Sequence, residues 1–269
     1  METSRAAERQ DPAMRRLAAA VVALAIGVTL CGFPDQPARA DGGEGVPSMR
    51  SAPWYPSAPT GPPPQATLGP ATRAAARAAD VLDRIRLGLN DTRYQHATRV
   101  RERQGLFHWD CSGMAAWILR RSAPRALAAV GRERPVARDF YNAIERAPTE
   151  RPRRGWQRLE HIRDARPGDV FAWLRPPDWP PRNTGHVGFV VEQPRRLLRY
   201  RDTWTVRIAD ATSVPHEDDT RGDDGVGGFG SGTIMFVTDG DGQGLGYGWF
   251  GSESRGVVPT RILFGRVSQ

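Results

Sequence analysis

Apolar residues recur at a helical spacing in the segment that follows Thr72. The residues that repeat are Ala78, Val81, Leu82, Ile85 and Leu89. They fall at positions i, i+3, i+4, i+7 and i+11, which predicts one face of an amphipathic helix. Asn90-Asp91 ends this pattern, and the polar stretch from Thr92 to Gly105 is predicted to be irregular or part of an edge hairpin.

Two further helices are predicted in the first half of the chain. Met114, Trp117 and Ile118 repeat at three to four residues, which indicates a helix from the Asp110-Cys111 segment to about Arg121. Another helix is predicted from Val136 to Arg146.

The second half of the chain has the character of β-structure. Pro167-Gly168 predicts a turn, and short apolar or alternating runs predict strands after it. The predicted strands are 169–174, 187–192, 203–209, 233–237, 247–250 and 261–264. Helices followed by antiparallel strands favour an α+β domain over a doubly wound one.

The N-terminus has the order of residues that is typical of a secretory signal. Arg15-Arg16 precede an apolar run that ends near Gly32, and Ala38-Arg39-Ala40 is a small-x-small cleavage site. The run is shorter than the roughly 18–20 residues of a spanning helix, so we expect cleavage and no stable membrane anchor. We therefore predict a signal peptide at 1–40 and a secreted or periplasmic location.

Two regions are predicted to follow the signal peptide. Residues 41–70 contain eight of the 23 prolines and no apolar period, which predicts a disordered linker. A cysteine hydrolase domain with a C-terminal β extension is then predicted over 71–269.

Apart from histidine, every positively charged side chain in the sequence is an arginine. The formal net charge is +8, and the sequence contains no lysine. Guanidinium groups pair with carboxylates and phosphates, so an anionic cell-envelope polymer is a plausible partner. Nucleic acid is not expected, because the arginines are scattered among acidic residues and no binding motif accompanies them.

Cys111 is the one cysteine expected to remain after signal cleavage, because Cys31 lies inside the signal. Its predicted position at the start of a helix stabilises a thiolate, which is the nucleophilic form. Backbone N–H groups of this turn can hold an oxyanion, and Gly113 would let a substrate approach closely. The alternative is a buried and inert cysteine.

His186 is the candidate general base. It begins a predicted strand whose alternation puts Val187 and Phe189 on one face and His186, Gly188 and Val190 on the other. Small Gly188 would leave room beside the imidazole, and Gly185 suggests close backbone packing or an approaching ligand.

The third member of the candidate site has two possible identities. Asp210 ends a strand that should pair with the strand of His186, so its carboxylate can accept the imidazole N–H. His216 is the alternative orienting residue or a substrate contact. Asp110, Ser112 and Trp109 are further candidates for these two roles.

Three motifs together resemble the NlpC-type papain-like cysteine peptidases of bacterial cell walls. They are Asp110-Cys111-Ser112-Gly113, Pro167-Gly168-Asp169 and Gly185-His186-Val187-Gly188. The resemblance covers roughly residues 72–215. It implies a papain-like α+β fold with N-terminal helices packed on an antiparallel β-sheet, with Cys111 as nucleophile and His186 as base.

The resemblance also implies a substrate class. Members of this family cleave peptide or isopeptide bonds in peptidoglycan, and relatives act as amidases or acyltransferases. The chain departs from the pattern at Asp210, where the family usually has His, Asn or Gln, and at Trp109, where tyrosine is common.

No metal or cofactor is expected. The histidines and the remaining cysteine lack the close ligand pairs of a zinc site. The segment that begins at Asp239 resembles a calcium loop, but Phe250 stands where the bidentate glutamate belongs, so it is interpreted as a hairpin turn. An acidic cluster follows His216 and is interpreted as a solvated loop, with a border of the active-site cleft as the alternative because the cluster follows Asp210 closely. Its members are Glu217, Asp218, Asp219, Asp223 and Asp224.

The sequence therefore predicts a monomeric cysteine hydrolase of the cell envelope that cleaves amide bonds, most plausibly in peptidoglycan. One alternative is an amidase or acyltransferase with the same site. The other is a catalytically inactive protein that binds anionic polymer through its arginines.

Overall fold

The fold is described from a computed structural model of the chain. It describes residues 68–269 except 178, 180–182, 199, 222–226 and 250–255. The predicted signal peptide and nearly all of the predicted linker lie outside the described residues. None of the helices in the described part combines the length and the apolar character that crossing a bilayer would take.

Four α-helices are present in the first half of the described chain. They are α1 (Arg73–Gly88), α2 (Cys111–Ser122), α3 (Pro124–Val130) and α4 (Ala137–Glu145). Helices α1, α2 and α4 confirm the predicted ones. The hydroxyl of Thr72 accepts a hydrogen bond from the Ala75 N–H at 3.0 Å and caps α1. Helix α3 was not predicted, although Pro124 and Gly131 are typical start and stop signals.

A small sheet occupies the polar stretch between α1 and α2. Its strands are β1 (Asp91–Tyr94), β2 (Arg99–Arg101) and β3 (Leu106–Trp109). Strand β3 is central, parallel to β1 and antiparallel to β2. Since β3 ends one residue before Asp110, it leads the chain directly into the helix that starts at Cys111.

The remaining strands form one large sheet. They are β4 (Trp156–Leu159), β5 (Val170–Leu174), β6 (Gly185–Val190), β7 (Arg195–Arg196), β8 (Thr203–Thr212), β9 (Gly228–Thr238), β10 (Gly244–Gly248) and β11 (Val257–Val267). Six of them follow the order β10-β9-β8-β6-β5-β11, and β10 also pairs with β11. The sheet therefore closes into a six-stranded antiparallel barrel, with β4 beside β11 and β7 beside β8.

The expected papain-like α+β arrangement, with helices packed on an antiparallel β-sheet, is wrong. The strands close on themselves because the long strand β11 pairs with β10 through its first half and with β5 through its second half. An irregular register between Gly244 and Gly246 bends β10 at the point of closure. The segment interpreted as a C-terminal extension, residues 216–269, thus supplies three strands of the barrel, β9, β10 and β11.

Two apolar cores result from this closure. One lies between the helices and the outer face of the barrel and contains Val187 and Phe189 of β6. The other fills the barrel and contains Val190 and Phe171. The alternation predicted along β6 is therefore confirmed, and its second face points into the barrel.

The two glycines beside His186 are both closely packed. A Cβ atom on Gly188 would lie 2.6 Å from Cζ of Phe171, so this ring fills the space that was expected beside the imidazole. At Gly185, φ is +132°, and a Cβ atom would lie 1.9 Å from the carbonyl oxygen of Trp173. Backbone packing, one of its two expected roles, therefore accounts for Gly185.

The Pro-Gly-Asp turn fastens the barrel to helix α1. Gly168 has φ of +83°, and a Cβ atom there would lie 2.1 Å from the carbonyl oxygen of Ala75. The carboxylate of Asp169 is fully buried and accepts hydrogen bonds from Arg266 at 2.9 and 3.2 Å. The motif is thereby explained by structure alone.

The segment from Asp239 forms the turn between β9 and β10. Oδ1 of Asp239 accepts hydrogen bonds from the N–H groups of Asp241 at 3.0 Å and Gln243 at 2.8 Å. The two strands pair in antiparallel register on either side. The predicted hairpin turn is confirmed.

We predict that Gly168→Ala destabilises the protein far more than Gly131→Ala. Both residues have φ near +80°, but a Cβ atom on Gly131 meets nothing within 4 Å. Gly131→Ala should therefore cost about 1 kcal/mol, and Gly168→Ala roughly 2 kcal/mol or more. Urea unfolding curves measure both changes, and equal losses would contradict the close contact with Ala75.

Candidate functional site

Cys111 is the first residue of helix α2, as the sequence predicts. Oδ1 of Asp110 caps the helix by accepting hydrogen bonds from the Gly113 N–H at 2.7 Å and the Ser112 hydroxyl at 2.9 Å. The thiol is largely buried, with 6% of the residue exposed. Cys111 therefore lies at the positive end of the helix dipole.

The other residues of this segment have structural positions. Oδ2 of Asp110 lies 3.2 Å from Nδ1 of His96. Ser112 is buried, and Trp109 is completely buried against Phe107 and Trp117. Asp110 and Ser112 hold the start of α2, while Trp109 belongs to the core and does not face a cleft.

Gly113 does not open the helix start toward a substrate, in contrast to the expectation. A Cβ atom on Gly113 would lie 2.3 Å from Oγ1 of Thr98. The glycine is therefore explained by its contact with the loop between β1 and β2.

His186 and Asp210 are in direct contact. Strand β6 pairs with β8 in antiparallel register, with Phe189 opposite Ala209, which confirms the predicted pairing. Nε2 of His186 lies 2.8 Å from Oδ2 of Asp210. Asp210 is fully buried, and 11% of the His186 side chain is exposed.

The Cys111 thiol interacts with the other side of the same imidazole. Helix α2 packs on β6, and Asp210 occupies Nε2 of His186, which leaves Nδ1 as the nitrogen available to Cys111. Burial lowers the pKa of His186, but the negative charge of Cys111 and the hydrogen bonds to Asp210 and Cys111 raise it to about 9. These contacts therefore favour an imidazolium next to the sulfur.

His216 contacts the same carboxylate oxygen as His186. Its Nε2 lies 2.8 Å from Oδ2 of Asp210, and its Nδ1 lies 3.2 Å from the carbonyl oxygen of Trp249. Both neighbours are acceptors, so the two hydrogen bonds form together only when each ring nitrogen carries a proton. The ring also stacks on Trp249, with a centroid distance of 4.0 Å. The two candidates for the third position thus belong to one network.

Arg221 and Asp219 complete this network; sequence reasoning missed Arg221 and assigned Asp219 to the acidic cluster without this role. Nη2 of Arg221 donates to Oδ1 of Asp210 at 2.9 Å, and its Nε donates to Oδ1 of Asp219 at 2.8 Å. Oδ2 of Asp219 accepts the backbone N–H of His216 at 2.8 Å. At most 2% of the Arg221 and Asp219 side chains is exposed.

The network fixes the charge of Asp210. Burial raises the pKa of its carboxyl, but the charges of His216 and Arg221, with the hydrogen bonds from both histidines, hold that pKa well below the ordinary value. The solvated acidic loop expected here is thus wrong for Asp219, whereas Asp218 is exposed. Asp223 and Asp224 lie outside the described residues.

Tyr94 is another residue near the thiol that sequence reasoning missed. It ends β1, beside Trp109 of β3. Burial raises the pKa of its phenol, and the negative charge of Cys111 adds to this effect. The phenol of Tyr94 therefore stays protonated, and because Tyr94 also lines the cavity beside His186, its hydroxyl is a hydrogen-bond donor at the edge of the candidate site. In the sequence, Tyr94 lies in a polar stretch without periodicity, so no pattern there indicated a role in the site.

A cavity of about 590 Å³ opens beside His186 at the mouth of the barrel. Aromatic and aliphatic side chains form much of its described lining. They are Tyr94, Trp173, Pro176, Trp179, Val214, Tyr247, Trp249 and Val258. Within the described ranges, no group of three or more His, Cys, Asp or Glu residues is arranged to hold a metal ion.

We predict that Arg221→Met is strongly destabilising. The substitution removes the buried cation that pairs with Asp219 and one of the charges that stabilise Asp210, which should cost about 3 kcal/mol or more of unfolding free energy. Arg195→Met is the matched control, since its ion pair with Glu192 is exposed and should be worth less than about 1 kcal/mol. Guanidinium unfolding measures both, and similar losses would contradict the role of the network.

We also predict that Asp210→Asn lowers the pKa of His186. The amide removes the negative charge that favours the imidazolium, so the histidine should titrate clearly below about 9. Long-range 1H–15N NMR on the imidazole nitrogens measures this change. Asp241→Asn, in an exposed turn, should leave the titration unaltered. An unchanged value in Asp210→Asn would contradict the electrostatic contribution of Asp210.

The comparisons with known proteins identify one family. No protein-family model and no solved structure matches the chain. The uncharacterized protein R653 of Acanthamoeba polyphaga mimivirus is 31% identical to it over 184 residues, which make up 59% of this chain and 77% of the viral protein. The chain belongs to the same family as that uncharacterized protein.

Proposed function

We propose that this protein is a cysteine hydrolase that cleaves amide bonds, with Cys111 as nucleophile and His186 as general base. The observation that carries the proposal is the position of His186. It interacts with a helix-start cysteine on one side and donates to a buried carboxylate on the other. This is the arrangement by which a thiol nucleophile is activated and its base is oriented.

The proposed reaction has two steps. The Cys111 thiolate attacks the amide carbonyl carbon, and the imidazolium of His186 gives its proton to the leaving nitrogen as the C–N bond breaks. Water, deprotonated by His186, then attacks the thioester and releases the carboxylic acid and the thiol. Asp210 stabilises the imidazolium in both steps and stays ionised.

The first turn of α2 supplies donors for the oxyanion. The N–H groups of Cys111 and Ser112 have no intrahelical acceptor because of their position in the first turn. The N–H of Gly113 is already bound to Asp110. We therefore assign the oxyanion to the first two groups, with the Tyr94 hydroxyl as a further donor.

Two candidate substrate classes are proposed, and each has its own support. The three motifs that resemble NlpC-type peptidases, together with the predicted signal peptide, support a peptide of peptidoglycan in the cell envelope. The aromatic lining of the cavity beside His186 supports an acyltransferase as the second candidate, because excluding water favours transfer of the acyl group to another acceptor over hydrolysis.

We expect Cys111 to react with iodoacetamide below neutral pH. The rate of this reaction should fall strongly in His186→Ala. An ordinary thiol titrates near 8.5, whereas one paired with an imidazolium is a thiolate at lower pH. The labelling rate is followed in the full chain by mass spectrometry of the peptide that contains Cys111, which separates it from Cys31.

His161→Ala is the control for this experiment. His161 bonds to the backbone of Asp241, away from the candidate site, so its loss should leave the rate unchanged. If Cys111 titrates near 8.5 in the wild type and in both variants, the hydrolase proposal fails. Binding to anionic cell-envelope polymer would then be the function to test.

A further inference from the structure

We infer that the cavity beside His186 binds a neutral, apolar acyl chain of the substrate. The inference deepens the proposed function and rests on it, because it assigns a substrate class to the same site. It follows from the aromatic and aliphatic lining of the cavity and from one buried hydroxyl.

The floor of the cavity consists of stacked aromatic rings. Trp173 and Tyr247 are 2% and 1% exposed, and their rings stack with centroids 4.4 Å apart. Trp173 also lies against His186, with a centroid distance of 4.9 Å. A chain that enters the cavity meets these rings at its floor and the partly exposed side chains of Val214, Trp249 and Val258 on its walls, and burying the walls favours an apolar ligand.

The hydroxyl of Tyr247 points to an oxygen atom in that ligand. It is buried and has no hydrogen-bond partner of good geometry among the described residues. The neighbouring indole of Trp173 can only donate, so the phenolic proton has no acceptor. Burial raises the pKa of Tyr247, which keeps that proton in place. An amide or ester oxygen at the head of an acyl chain would accept it.

Two polar side chains at the rim, those of Arg175 and Asn183, each hold a loop through one atom. Nη1 of Arg175 donates to the carbonyl oxygens of Pro177, at 3.2 Å, and Trp179. Oδ1 of Asn183 accepts the Gly185 N–H at 2.8 Å. These contacts use one atom of each side chain, so the rim still carries donors for a carboxylate. A muramyl dipeptide is therefore the competing ligand in the binding test.

Binding is tested in full-length Cys111→Ser, which removes the nucleophile and leaves the cavity intact. The probes are N-octanoylglycinamide and N-acetylglycinamide, which are neutral and differ in chain length, measured by quenching of tryptophan fluorescence. A fully buried methylene is worth roughly fourfold in affinity, so even partial burial of the chain should make octanoyl binding at least about 30-fold tighter.

Three further substitutions in the same background locate the ligand. Val258→Trp and Val214→Trp fill the cavity from two different segments and should each remove most of the preference for octanoyl. Leu198→Trp is the control, because Leu198 is 91% exposed outside the cavity lining. Tyr247→Phe should weaken octanoyl binding about fivefold through the lost hydrogen bond.

The outcomes separate this inference from the proposed hydrolase. Equal affinity for the two glycinamides overturns the acyl chain and leaves the hydrolase proposal standing. The same conclusion follows if a muramyl dipeptide binds more tightly than the octanoyl probe and if Val258→Trp and Val214→Trp abolish its binding. Octanoyl preference with an unreactive Cys111 thiol in the wild type overturns the hydrolase and leaves an acyl-binding protein. Thermal unfolding confirms that each variant is folded.

Discussion

The candidate site depends on one buried carboxylate. Asp210 has no exposed surface, and an isolated charge in that position would be very costly to keep ionised. Three donors compensate for it, namely His186 from β6 and His216 and Arg221 from the segment after β8. The carboxylate thereby fixes the orientation of the candidate base and the path of the loop that follows it.

Closure of the barrel brings the second half of the site together. Strand β10 pairs with β9 and β11, and this places Tyr247 against Trp173. Trp249, one residue after β10, stacks on His216 and accepts its hydrogen bond through the carbonyl oxygen. An open sheet would have left these residues far from His186. The closed sheet makes them one wall of a cavity.

The sequence predicts local structure well and closure poorly, for physical reasons. Helix α1 and the start of α2 follow from the spacing of apolar residues and from capping by Thr72 and Asp110, which are local interactions. The contact of His186 with Asp210 was predictable because the two strands lie close in the chain and should pair.

The features that were missed rest on distant contacts. Pairing of β11 with β4, β5 and β10 joins segments far apart in sequence, and no periodicity within a strand encodes its neighbours. Arg221 sits in an acidic loop that looks solvated, and its partner Asp219 becomes buried only when the strands fold around it. Tyr94 gains its position at the cavity through a parallel pairing of β1 with β3, in which it lies opposite Trp109.

The two shifted pKa values define the pH range in which the network stabilises the fold. Asp210 has a depressed pKa, so its contribution is present above the ordinary value of 3.8 and is lost as the pH falls through the folded value. His186 has a raised pKa, so its contribution is complete below 6.5 and disappears as the pH rises through about 9. Between these limits the carboxylate and the imidazolium hold each other in the charged form. The charge that orients the candidate base is therefore already part of the folded protein before any substrate binds.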